Sequence, residues 1–215
     1  MVDAWTETAL VTIAAYQSDG ATDTEFYGAI DSTSLEITVG EKDFDIITLL
    51  NGGCIEKPNP EGEYTISFDM YPIDLDTSDN SGIFQFFHTA KYINVGRTAT
   101  AQWDTSEGST GLSITNTRNR DKFRVAVLFT DDTNITAANS AVPIGSVALR
   151  FIMGPCRLVS MTPLSFGDRI LKVSCKFKAA PYTKSGAGVF KIQSSTGTVS
   201  ATLGALASYT SINCL

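Results

Sequence analysis

The sequence is poor in residues that bind metals. It has one histidine, His88, and four widely spaced cysteines without a Cys-x-x-Cys pair. Zinc sites draw on such pairs or on several histidines, so we predict no zinc. The stretch from Asp74 to Gly82 resembles a calcium loop, but it lacks the glycine at the sixth place and has Gln85 at the twelfth. We therefore predict a polar turn there, and neither a metal nor a cofactor.

The few cysteines leave one pairing open. Cys156 and Cys175 could face each other across a hairpin centred near Ser165 and Phe166 and form a disulfide. Two buried thiols are the expected state, because free cysteine packs as a small apolar residue and disulfides are rare in proteins assembled inside cells.

Signatures of catalysis are missing as well. The chain has no Gly-x-Ser-x-Gly, no phosphate-binding loop and no His-Glu-x-x-His, and a lone His88 is more typical of a packing residue than of a catalyst. We predict that the protein is not an enzyme. Two distant carboxylates could still meet in a carbohydrate-active β-sandwich, and a screen of glycan hydrolysis and binding tests that class.

Long apolar runs and an excess of basic residues are both absent. No stretch approaches the length of a membrane span, and the first residues do not combine a basic region with an apolar core; we expect neither a signal peptide nor a membrane-spanning segment. The formal net charge of −7 argues against sequence-independent binding of nucleic acid, because such binding needs Lys and Arg to displace counterions from the phosphates. The acidity either suits a conduit that DNA slides through or only keeps the protein soluble.

Threonine, serine and glycine are plentiful, which is typical of short strands joined by turns. We predict one all-β domain over residues 1–215 with one short helix at about 82–90. The best strand alternates Tyr64, Ile66, Phe68 and Met70 with polar residues, as expected when one face is buried. Residues 6–16 lack this alternation and form either a strand buried on both faces or an extended arm. Further strands are predicted at 26–30, 34–39, 123–129, 146–153, 156–162, 169–178 and 189–194.

The strand at 169–178 has a lysine row on its polar side. Leu171, Val173, Cys175 and Phe177 are expected to face inward, while the opposite face carries Lys172, Ser174, Lys176 and Lys178. Such a row is typical of a solvated face or of protection against edge-to-edge pairing, or it is a patch that binds phosphate or an acidic partner.

Residues 40–60 are half charged and half apolar, which is too apolar for a freely solvated loop. We interpret them as a projecting hairpin or loop whose apolar side is covered by another subunit. The candidate inter-subunit residues are Phe44, Ile46, Ile47, Leu49 and Cys54. Alternatively, the four apolar side chains among them cap the core of their own domain.

Four stretches carry a family resemblance. They are residues 51–75, with a glycine pair, Ile-Glu-Lys, a proline-rich link and the alternating strand, together with 123–132, 148–151 and 171–186. In this order they resemble the major tail tube protein of long-tailed viruses of bacteria and archaea. Cys54 departs from the pattern, since a basic or polar residue is expected after the glycines.

The resemblance implies a β-sandwich or half-barrel tail-tube fold and a structural role in the virion. Its inner sheets would join into a barrel within a self-assembled hexameric ring, and stacked rings would conduct genomic DNA into the host. The partners would be further copies of the chain, other virion tail proteins and double-stranded DNA that passes through the lumen without specific binding. The protein would be located in the virion tail after assembly in the host cytoplasm.

The same interpretation assigns the lumen-lining residues. The polar side of the central strand would face the lumen, and two further glutamates would add negative charge; the candidates are Glu56, Glu63, Thr65, Ser67 and Asp69. The lysine row would then suit the outer wall or a joint with acidic residues of the next subunit. The alternatives are that the polar side is solvated outer surface, or that the protein is a monomeric, non-catalytic β-sandwich surface or glycan-binding module.

Overall fold

The computed structural model describes residues 8–15, 24–50, 52–58, 61–70, 122–167, 170–183, 185–196 and 202–207. These residues form an all-β structure, which confirms the predicted fold class, and their one helical element is the short 3-10 turn Ser32–Ser34. The predicted helix at 82–90, His88 and the calcium-like stretch lie outside them. The strands are β1 Thr8–Ala15, β2 Thr24–Asp31, β3 Glu36–Thr38, β4 Phe44–Thr48, β5 Cys54–Pro58, β6 Tyr64–Met70, β7 Phe123–Thr130, β8 Val147–Gly167, β9 Ile170–Ala179 and β10 Phe190–Thr196.

Six of these strands are paired in a circuit that returns to its starting point. Every pairing is antiparallel, and the order is β8, β7, β1, β2, β6, β9 and then β8 again. Between β2 and β6 the described residues give one matched pair, Ile30 opposite Met70. β3 is attached to β6 and β10 to β8, while β4 and β5 form a separate two-stranded sheet.

β8 closes the circuit because it is long enough to serve two neighbours. The sequence predicted two strands here, interrupted at Gly154 and Pro155, and that prediction is wrong: β8 runs through both residues, which are joined by a cis peptide bond. The ladder to β7 shifts register at Phe123 and Val125, opposite this point. Proline is tolerated in a strand at such an irregularity, since it has no amide hydrogen to give to the ladder. β7 and β10 pair with the first half of β8, and β9 pairs with the second.

The interior of the circuit holds the main hydrophobic core. The alternation predicted for β6 and β9 is confirmed, with Ile66, Phe68 and Met70 on one strand and Val173, Cys175 and Phe177 on the other all buried. Phe177 packs against the rings of Phe68 and Phe123 at centroid distances of 6.0 Å. Cys156 and Cys175 are both buried and free, as expected for thiols that pack as apolar residues.

β1 is buried on both faces, which decides between the two interpretations of residues 6–16. Val11 and Ile13 point into the main core, while Leu10 packs with a second cluster outside the circuit. Residues of the 131–146 connection and of 202–207 cover that side. The fully buried Arg150 holds this cover in place by donating to the carbonyls of Ser140 and Gly204, the latter at 2.8 Å.

Candidate self-assembly surface

The β4–β5 hairpin has the most exposed apolar surface in the described part of the chain. Its register places Phe44 opposite Pro58 and Ile47 opposite Ile55. The turn is closed by backbone bonds from Leu49 N–H to the Gly53 carbonyl (2.7 Å) and from Gly52 N–H to the Leu49 carbonyl (2.9 Å). Gly52 has a φ of 81°, a conformation that residues with a side chain rarely adopt.

Both faces of the hairpin are apolar and exposed. We call one the Phe44 face, which presents Phe44, Ile46, Thr48, Cys54, Glu56 and Pro58, and the other the Ile47 face, which presents Asp45, Ile47, Ile55 and Lys57. Phe44, Ile46, Ile47 and Ile55 are each 48–60% exposed. None of the hairpin residues belongs to either hydrophobic cluster of the described residues. Within the described part of the chain, these side chains therefore do not cap the core of their own domain.

Such an arrangement is unusual for a protein that works alone. An isolated two-stranded hairpin is marginally stable in water, and soluble monomers rarely display contiguous apolar patches of this kind. Burying one large aliphatic or aromatic side chain contributes about 1.5–3 kcal/mol. The hairpin therefore gains stability from any surface that covers it.

The base of the hairpin is fastened to the body by a buried carboxylate. The side chain of Glu61 is only 7% exposed and lies 3.5 Å from the Lys42 ammonium. It accepts hydrogen bonds from the hydroxyls of Tyr64 and Tyr182, the second at 2.7 Å. The pKa of Glu61 is lowered chiefly by the hydrogen bond from Tyr64 and next by the hydrogen bond from Tyr182. The same bond raises the pKa of Tyr64 to about 12.

The backbone is close-packed at the same place. Gly62 N–H donates to the Glu41 carbonyl at 3.2 Å, and Gly40 lies so near Gly62 that an added Cβ would come within 2.1 Å of the Gly62 carbonyl oxygen. Glycine is thus required at position 40 by the close approach of two backbones. A cavity of about 520 Å³ opens beside this base, and its lining residues are Lys42, Asp43, Phe44, Glu56, Pro58, Glu61 and Tyr182.

The polar side of β6 continues directly into the lysine row of β9. Thr65 lies opposite Lys178, Ser67 opposite Lys176, and Asp69 opposite Ser174, whose hydroxyl donates to the Asp69 carboxylate. Residues that face each other across an antiparallel pair share one side of the sheet. The lumen candidates of β6 and the lysines assigned from sequence to the wall or a joint are therefore neighbours on one outward face.

The two glutamates proposed for the lumen lie in different places. Glu63, just before β6, forms an ion pair with Lys178. Glu56 lies on β5, in the separate two-stranded sheet, and lines the cavity at the hairpin base. The structure thus brings together Glu63, Thr65, Ser67 and Asp69, and it does not bring Glu56 to them.

The sequence reasoning missed the fastening at Glu61. It involves two tyrosines 118 positions apart in the chain. The one sequence signal in this region is the acidic run Glu61-Gly62-Glu63. It also missed Ile55, which the β4–β5 register pairs with Ile47. Among the described residues no group of three or more histidine, cysteine or acidic side chains could hold a metal ion. In the same part of the chain, no helix is long and apolar enough to cross a membrane.

Comparison with known proteins gives structural likenesses only. No protein-family model and no curated protein matches the sequence. A chain in the anti-feeding prophage baseplate is 10% identical, with a TM-score of 0.40 over 89% of this chain and 96% of that chain. A chain in the tube-terminating cap of the anti-feeding prophage is 12% identical, with a TM-score of 0.38 over 91% and 93%. A crystal structure of Hcp protein is 10% identical, with a TM-score of 0.29 over 87% and 99%. All three TM-scores are below 0.5.

Proposed function

We propose that this chain is a non-enzymatic structural subunit whose copies associate into closed rings that stack into the tail tube of a virion. The observation that carries the proposal is the β4–β5 hairpin, which is exposed and apolar on both faces. A repeated contact between the hairpin of one copy and a different surface of the next generates a ring when the rotation between copies closes.

The ring is hexameric and conducts genomic DNA, as the family resemblance implies. Thr65, Ser67, Asp69 and Glu63 face the bore, and the β9 lysines lie at its margin, where neighbouring copies meet. Glu56 lies on the hairpin and belongs to the contact between copies. The net charge of −7 supports passage of DNA without retention, because an acidic protein releases few counterions from phosphates. Other tail proteins would cap the tube, and assembly would take place in the host cytoplasm.

Electron microscopy of the purified protein, with and without its hairpin, tests the proposal. Deleting residues 42–57 removes all of β4 and all of β5 except Pro58. The short link that remains connects Glu41 to Gly62, whose backbones are already joined by a hydrogen bond. We expect rings or tubes from the unmodified chain, and from the deletion we expect monomers that keep the circular dichroism spectrum of a folded β protein. The matched control is Ile144→Ser, which removes an exposed aliphatic side chain elsewhere and should leave assembly intact. Assembly that survives the deletion would contradict the proposal.

A second candidate is a monomeric binding module, which the cavity at the hairpin base favours. Its aromatic rings, Phe44 and Tyr182, and its carboxylates, Asp43 and Glu56, are the kinds of group that bind sugars. This candidate predicts a protein that stays monomeric at every concentration and binds a glycan on an array. The micrographs and the array together separate the two functions.

A further inference from the structure

The cavity at the base of the hairpin is walled by two parts of the chain. Phe44, Glu56 and Pro58 belong to the hairpin, whereas Glu61 and Tyr182 belong to the body. Phe44 lies opposite Pro58 in the β4–β5 register, and Glu56 is its diagonal neighbour on the same face. Diagonal neighbours lie about 7–8 Å apart, so one ligand group reaches the ring and the carboxylate together. The cavity volume of about 520 Å³ is in the range of small-ligand sites.

The charges that line this cavity are not balanced. Lys42 is the one basic residue of the lining, and its ammonium lies 3.5 Å from the Glu61 carboxylate. That carboxylate also accepts hydrogen bonds from two tyrosine hydroxyls, so it is already paired. Asp43 and Glu56 are the other two acids of the lining, and within the described part of the chain neither forms an ion pair. The lining therefore carries two carboxylates that the described residues leave without a cation.

Charged residues near the cavity do not restore the balance. Asp45 and Lys57 lie opposite each other on the Ile47 face and offset each other there. Glu63 is paired with Lys178, and Glu41 adds a further negative charge to the hairpin segment. The surplus negative charge predicts a cationic ligand.

Two aromatic rings indicate which cation fits the cavity best. Phe44 and Tyr182 are 54% and 48% exposed, so a ligand can contact both rings. A guanidinium group is planar, stacks on an aromatic ring and donates two N–H groups to a carboxylate at once. An ammonium group is compact and strongly hydrated and has no flat face to stack, and a neutral sugar would leave the negative charge uncompensated. Of these ligands, the guanidinium group makes the fullest use of the rings and the carboxylates.

We propose that the cavity binds the guanidinium group of an arginine side chain from another polypeptide. One Asp43 oxygen accepts from the Phe44 N–H at 2.8 Å, which leaves the second oxygen for the ligand. The guanidinium donates to that oxygen and to Glu56 while its plane stacks on the Phe44 ring, and the methylene stem packs against Pro58 on the same face. Because both rings of the lining are about half exposed, the cavity opens to solvent and admits a side chain that stays attached to its own backbone. All these groups belong to a single chain, so the site does not depend on ring formation.

Equilibrium dialysis of the full chain against a peptide with a neutral fluorescent label tests the site. The peptide is uncharged except for one central arginine, and the protein is kept below the concentration at which micrographs show particles. We expect saturable binding that is about tenfold weaker with lysine in place of arginine and is lost with citrulline, which keeps the shape without the charge. Ethylguanidinium should compete only weakly, because it lacks most of the stem. Competition as strong as that of the unlabelled arginine peptide would assign the cavity to a small free cation and overturn the polypeptide source.

Two substitutions locate the binding in the cavity. Glu56→Gln removes a carboxylate and keeps its shape, and Phe44→Leu removes the ring and keeps an apolar side chain; each should weaken binding of the arginine peptide about tenfold. The matched control is Asp45→Asn, which removes the same charge from the other face of the hairpin and should change the affinity by less than about twofold. The bound peptide should also raise the protection factors of the amides in residues 41–50 and 52–57, because it joins the hairpin to the body.

The results distinguish the arginine site from the proposed function. Equal binding of the citrulline peptide, an Asp45→Asn effect as large as that of Glu56→Gln, or displacement of the peptide by a neutral glycan would overturn the site. Rings in micrographs without any peptide binding would overturn the site and leave the tube subunit standing. Peptide binding by a chain that forms no particles under any condition would support the site and overturn the tube subunit.

Discussion

Glu61 shows how one side chain can fix the direction of a projecting element. Its carboxylate has three partners from three places: Lys42 at the start of the hairpin, Tyr64 on β6 and Tyr182 after β9. Burying a carboxylate is costly unless hydrogen bonds and an opposite charge compensate, and here both do. The hairpin therefore leaves the body at a defined place and not on a free tether.

The stability of the hairpin base should depend on pH through Glu61. The pKa of Glu61 in the folded chain lies below its ordinary value of 4.5, so the unfolded chain binds the proton more tightly. The stabilisation is then complete above that ordinary value and is lost as the pH falls through the lower folded pKa. We expect the protection factors of the amides in residues 41–50 and 52–57, which compare the observed exchange with the intrinsic rate at the same pH, to fall as the solution is acidified through this range.

The Glu61→Gln variant is the control for that titration. Its amide cannot ionise, so the protection factors of the same amides should be lower than in the unmodified chain at neutral pH and should change little on acidification. An unmodified chain whose hairpin exchange did not respond to acid, or responded as the variant does, would contradict the assignment of the effect to Glu61.

At the scale of the elements, the hairpin depends on the close approach of two backbones. A methyl group at position 40 would overlap the Gly62 carbonyl oxygen, and backbone cannot move aside as a flexible side chain can. Gly40→Ala should therefore destabilise the base by about 1–3 kcal/mol, the usual effect of overpacking. Urea denaturation combined with hydrogen exchange at Gly62 measures it. Gly188→Ala, where an added Cβ meets nothing within 4 Å, should be nearly neutral; equal effects would show that the close approach is unimportant.

The strands differ in how far sequence alone could predict them. β6 and β9 follow a strict two-residue alternation because one face is buried, so their existence and inward residues were predicted. The continuity of β8 was not predictable, because Gly154 and Pro155 normally end a strand and only the register shift in β7 accommodates them. The adjacency of β6 and β9 in the sheet was not predictable either, because it depends on pairing between distant parts of the chain. Thus the polar residues of β6 and the lysines of β9 could each be identified from sequence, but not the fact that they lie side by side.

At the scale of the whole molecule, the charges of the outward face determine how the proposed bore would interact with DNA. Asp69 and Glu63 lie beside Ser174 and Lys178 on one surface of mixed sign, where the sequence suggested a purely negative lining. A mixed surface neither holds a polyanion strongly nor repels it over a long distance. This balance suits a channel that a duplex must cross quickly.

Replacing Asp69 and Glu63 by lysine tests the bore. Both side chains are on the outward face, away from the main core, so rings should still form. The added positive charge should hold phosphates and slow the release of DNA from particles that carry the variant, with a stronger effect at low salt. Release that is unaffected by the Asp69 and Glu63 changes would exclude this face from the bore.

The hairpin is already formed and exposed in a single folded chain. Under the proposed function, the hairpin would therefore need no change in its own conformation before it contacts another copy. The timing of growth would be governed by how fast the protein accumulates and by where a starting platform is available. A cell that overproduced the protein would be expected to fill with misplaced filaments, and a low concentration would be the simplest way to keep the protein unassembled.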